Sequence, residues 1–147
     1  MKTKSLLLIL VLVAFNGSAT EMLCEKFRIF AQSSTLEQPV MFKLESDWGN
    51  MSISCIHNQL KSEKQFCAWL VQNSSKEFMG NTVAGLEQCL TGHQAVYSTF
   101  SYTQNSASYS ATDLAMPDKN IEVSVNYLYG SDISKPFLSV VVSRISD

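Results

Sequence analysis

Four cysteines, Cys24, Cys55, Cys67 and Cys89, and two histidines, His57 and His93, have the widest chemical reach in this 147-residue chain. A structural zinc site needs four thiolate or imidazole ligands, usually in closely spaced pairs. No two of these cysteines form a C-x-x-C pair, and the histidines do not complete a suitable spacing. No metal and no cofactor are therefore expected, and a redox-active C-x-x-C is missing too. An even number of cysteines suits disulfide bracing in an oxidising compartment, where four cysteines allow three connectivities.

Nucleophilic catalysis needs a histidine between a serine or cysteine and an orienting acid. His57 falls at the end of a predicted strand, and His93 follows Gly92, a helix stop. Both positions favour exposed imidazoles, and no G-x-S-x-G elbow surrounds any serine. Paired carboxylates are the other route to hydrolysis. Glu45 and Asp47 share a strand face at a hairpin tip, and Asp113 and Asp118 flank a loop, but neither pair has a sequence reason to be buried. Glycine-rich phosphate loops are missing. The chain is not expected to be an enzyme, and no catalytic residue is assigned. A small exported hydrolase using His57 or His93 with a carboxylate is the alternative.

The compartment follows from the N-terminus. Lys2 and Lys4 precede an apolar run from Ser5 to Phe15, and Gly17 and Ala19 put small residues before a cleavage point. This is the form of a signal peptide over 1–19, of bacterial type, leaving a single globular domain over 20–147. The mature protein is then periplasmic or secreted, with no membrane association after cleavage. Loss of Lys2 and Lys4 moves the formal charge from −2 to −4. Basic residues are scattered, which disfavours nucleic acid as a partner. The sequons at Asn50 and Asn73 are read as chance in a bacterial protein.

What remains points to protein binding. Trp48, in the turn "DWGN" with Asp47 and Asn50, must fold back on the core or meet a partner. The loop "YGSDISKP" carries Tyr129, Ser131, Asp132 and Lys135 and is long for a hairpin connection. Tyr97, Tyr102, Tyr109, Tyr127 and Tyr129 all fall in the predicted C-terminal meander, and tyrosine is enriched at interfaces. Trp69 lies among apolar helix positions and is expected in the core.

These residues need a frame. Leu23, Phe27 and Phe30 recur at helical spacing, although Leu23, Phe27 and Ile29 also fit alternation; a helix capped by Thr20 is preferred. Val40, Phe42 and Leu44 mark a strand, and Met51, Ile53 and Cys55 line its returning partner. Ser62 with Gln65 and Ser74 with Glu77 read as capping boxes opening two further helices, the second stopped by Gly92. Four more strands follow, at 95–102, around Ala107–Ala111, at 121–127 and at 137–145. The expected fold is α+β, with a mainly antiparallel sheet of about six strands (a hairpin plus a C-terminal four-strand meander) and about three helices on one face.

Element geometry selects a disulfide pairing. Cys55 stands roughly 7 Å of strand rise before its strand ends. Cys67 stands roughly 7.5 Å of helical rise into the next helix. A helix folding back beside that strand brings the two level, leaving Cys24 for Cys89; a Cys67–Cys89 bridge is the rival. The expected function is an exported, braced module that inhibits or neutralises a protein partner, as an enzyme inhibitor or an immunity protein against an exported toxin. A carrier of a small apolar ligand is a second alternative, and an open sheet edge leaves room for a homodimer.

Overall fold

The computed structural model describes residues 19–93, 103–110, 114–116, 118 and 120–146. The leader read over 1–19 lies outside them except for Ala19. Helix α1 spans Ala19–Gln32 and buries Leu23, Phe27, Phe30 and Ala31. Ile29, which the strand reading would turn inward, is 51% exposed, so the helical period wins. Thr20, expected as its cap, lies inside the helix.

Strands β1 (Val40–Asp47) and β2 (Ser52–His57) form an antiparallel hairpin. Helices α2 (Lys61–Asn73) and α3 (Met79–Thr91) follow, then β3 (Thr103–Tyr109), β4 (Ile121–Tyr129) and β5 (Phe137–Arg144). The sheet order is β2-β1-β5-β4-β3, antiparallel throughout. The α+β class, the three helices and the antiparallel sheet are as expected. The sheet has five strands among the described residues rather than six, and the strand expected over 95–102 lies outside those residues.

Matching alternation explains the closure of β5 on β1. Val40, Phe42 and Leu44 stand opposite Val142, Val140 and Leu138, and Val123, Val125 and Tyr127 continue the same layer on β4. All nine are buried, whereas Lys43, Glu45, Ser139 and Val141 on the reverse face are partly exposed. A one-residue slip would turn every one of these side chains to the wrong side. The helices cover the apolar face, α2 against β1 and β2 and α3 against β4 and β5. Phe30, Phe42 and Phe66 meet at the centre, with ring centroids 5.0–5.5 Å apart.

The helix starts differ from the expected capping boxes. The N-cap of α2 is Leu60, whose side chain has no oxygen to offer; Glu63, at the third helical position, reaches back instead. Its Oε2 accepts the Leu60 N–H at 3.1 Å, and its Oε1 accepts the Met41 N–H at 2.9 Å. Strand β2 ends at His57, opposite Phe42, so Met41, paired with Val141 of β5, has no partner on the β2 side and the carboxylate takes that place. Glu63 is fully buried. Helix α3 begins at Met79, later than the Ser74–Glu77 box implies, because Ser75 Oγ instead accepts the N–H groups of Glu77 and Phe78. Its end is as expected: Gly92 adopts φ 73° and donates to Gln88.

Two disulfides brace this frame. Cys24–Cys89 ties α1 to the end of α3, and Cys55–Cys67 ties β2 to α2, with Cα atoms 5.0 and 5.4 Å apart. This is the connectivity that strand and helix rise selected. No described helix is long and apolar enough to cross a membrane. Two disulfides are consistent with an oxidising compartment outside the cytoplasm.

Candidate functional site

The two segments singled out for recognition meet at one end of the sheet. Ser46 N–H donates to Pro136 O at 3.0 Å, and Trp48 N–H donates to Ser134 O at 3.2 Å. The 130–136 segment therefore extends the pairing of β5 along β1 and runs beside the β1–β2 turn. Within the turn, Asp47 Oδ1 accepts the Asn50 N–H at 3.3 Å, and Asp47 Oδ2 accepts from Asn50 Nδ2 at 3.0 Å. Lys135 Nζ lies 3.8 Å from the same Oδ2. Desolvation raises the Asp47 pKa. The Asn50 hydrogen bonds, the Lys135 charge and the Gly49 N–H outweigh it and hold the carboxyl below its ordinary 3.8.

The turn carries an unusual residue at its end. Met51, expected in the returning strand, is instead the last turn residue, at φ 49° with its side chain 55% exposed. A left-handed backbone disfavours a residue bearing a Cβ by roughly 1–2 kcal/mol, and glycine or asparagine ordinarily fills such positions. Gly49, Asn50, Ser131, Asp132 and Lys135 are exposed around it. Trp48 is partly buried, and its Nε1 has no hydrogen-bond partner among the described residues, nor has Ser46 Oγ. Tyr129 does not join the surface and corrects the expectation for it. It is 2% exposed and stacks on Tyr127 at 5.7 Å. Its ring lies so close to α3 that a Cβ on Gly80 would come within 3.0 Å. The alternation that made it a strand residue points it at the core.

The two histidines make local contacts among the described residues. His57 Nδ1 accepts the Gln59 N–H at 3.1 Å, a local turn contact. His93 is exposed beyond α3, on the far side of Gly92, and its N–H donates to Thr91 Oγ1. Among the described residues neither imidazole bonds a carboxylate. Glu45 pairs with Lys43, and Asp118 pairs with Arg144 at 3.0 Å. Asp113, its suggested companion, lies outside the described residues. No described group of three or more His, Cys, Asp or Glu side chains is arranged to hold a metal ion.

Concavities lie on the helix layer. A groove of about 500 Å³ runs between α1 and α2, floored by Phe30, Phe66 and Trp69. A second, of about 320 Å³, lies where α1, α2 and α3 converge, and Trp69 lines it as well. Trp69, expected in the core, is therefore partly exposed. A shallower depression beside the Cys55–Cys67 bridge includes His57 and Lys64 and no acid. Among the residues that sequence reasoning missed, Met51 left no signal beyond a bulky residue directly after "DWGN". Glu63 left a faint one, an acid three positions after a helix start.

Compared with known proteins, the chain matches no protein-family model, no curated protein and no solved structure.

Proposed function

We propose that this chain is an exported, disulfide-braced module that binds a protein partner and inhibits or neutralises it, as an enzyme inhibitor or an immunity protein against an exported toxin. The contact surface is the β1–β2 turn together with 130–136. One observation carries the reading: an exposed methionine is held in left-handed backbone at the end of a turn that a second segment grips. Backbone strain of this kind persists only where surrounding contacts impose it, and it concentrates at functional positions. An apolar side chain projected from a rigid support loses little entropy on docking, which favours affinity. The mature formal charge of −4 and the exposed Asp132 suit a basic partner.

The mature protein, immobilised and exposed to extracytoplasmic extract, should retain one predominant partner. Met51→Asp should lose it, since aspartate tolerates the left-handed backbone but places a charge at the apolar contact. The expected loss is about 2 kcal/mol or more in binding, with the thermal melt unchanged. Equal capture by Met51→Asp refutes the assigned surface. Turnover of a generic ester or glycan, abolished by His57→Ala or His93→Ala, refutes the binding-module reading in favour of the hydrolase.

A further inference from the structure

The helix layer carries a feature that partner occlusion does not use. Phe66 stacks on buried Phe30 at 5.0 Å and 26°, and Trp69 lies parallel to Phe66 at 6.3 Å and 5°. The rings form a series leading from the core outward and ending in the partly exposed indole. Phe42 meets Phe66 edge-on at 5.2 Å and fixes it from the sheet side. Trp69 thus has little freedom, and its ring borders both grooves of the helix layer.

The groove linings select a ligand chemistry. Neither groove is lined by an aspartate or a glutamate, and the one charged lining residue is Lys26. A cationic ligand would find no counter-charge there, and a polyanion would find only one. A purely apolar ligand would strand the carboxamides and hydroxyls along the walls, at the cost of their hydration. Gln65, Gln72 and Ser62 border the first groove, and Asn73, Asn81 and Thr82 border the second. Asn73 Nδ2 donates to Trp69 O at 2.8 Å, which ties this carboxamide to the indole-bearing turn of α2. A flat indole flanked by neutral amides and hydroxyls complements a ring with an apolar C–H face and a hydroxyl rim. Aromatic faces carry negative partial charge that attracts such C–H groups, and carboxamides both donate to and accept from hydroxyls. The combined volume falls in the range of ordinary ligand sites.

We propose that the two grooves flanking Trp69 form a furrow that binds a neutral oligosaccharide, with the indole as its stacking platform. The furrow is separate from the turn at Met51, so either site can fail without the other. The mature protein labelled with ¹⁵N and titrated with the neutral sugars cellohexaose, maltohexaose and hexa-N-acetylchitohexaose tests this, because its two indole N–H signals belong to Trp48 and Trp69. The Trp69 signal should move saturably with at least one sugar while the Trp48 signal stays. The exposed pair Gln65→Ala/Gln72→Ala should weaken that binding at least about tenfold without altering the melt, and Trp69→Ala should abolish it. Absence of a Trp69 shift with all of these sugars up to about 10 mM overturns the proposal. So does binding unaffected by the glutamine pair, or a shift confined to Trp48.

Discussion

Replacing Glu63 by alanine should be the most damaging single surface-neutral change in the α2–β1 junction. The fully buried carboxylate accepts the Met41 N–H at 2.9 Å and the Leu60 N–H at 3.1 Å. Alanine leaves both donors without a partner where neither the strand nor the helix can supply one. Each stranded group costs about 1–3 kcal/mol, and removing the charged acceptor also removes the burial cost of that charge. The two effects together predict a net loss of about 3 kcal/mol. Against a typical total of about 5–15 kcal/mol this is a large fraction. Urea unfolding of the oxidised protein is the assay. The midpoint should fall by about 1–2 M with the slope unchanged, because the exposed area on unfolding is the same. Glu63→Gln keeps one accepting oxygen but turns an NH₂ toward the second N–H, so a loss of about 2 kcal/mol is expected. If Glu63→Ala costs less than about 1 kcal/mol, or Glu63→Gln matches the parent, the carboxylate is not the joint described above.

Three further outcomes follow from the same geometry. The bridges close loops with sequence separations of 65 and 12 residues, so chain entropy predicts losses of about 4 kcal/mol on Cys24→Ala/Cys89→Ala and about 3 kcal/mol on Cys55→Ala/Cys67→Ala; the reverse ranking in urea melts would count against it. The folded pKa of Asp47 lies below the ordinary 3.8, so its stabilising contribution is complete above that value and disappears as pH falls through the folded value. Asp47→Asn should therefore flatten the acid limb of stability below about pH 4, and the Asn50 side-chain amide resonance should follow the same titration. Met51→Gly should raise stability by up to about 1 kcal/mol while weakening partner capture, and a destabilised variant would contradict the left-handed strain at this position.

Local pattern was enough for much of the frame. The alternation of Val40, Phe42 and Leu44, the 3.6-residue spacing of Leu23, Phe27 and Phe30, and the stop at Gly92 are all short-range features, and each is realised. The disulfide pairing was legible for a related reason: rise per residue converts sequence distance into height along an element, and that sufficed to level Cys55 with Cys67. Helix starts were less legible. Serine-based capping boxes occur by composition in a serine-rich chain, and the true partner of the α2 start was decided by where β2 ends relative to β1.

The sequence alone determined the class and the bracing, because those depend on residue type, periodicity and spacing along the chain. Only the tertiary structure decided that β5 closes on β1, and with it that 130–136 lies beside the turn at Trp48. It also turned Tyr129 inward against Gly80, left Met51 outward on strained backbone, and brought Trp69 to the surface between two grooves. Each of those outcomes depends on which distant segment occupies the neighbouring space, and no local pattern of residues carries that information.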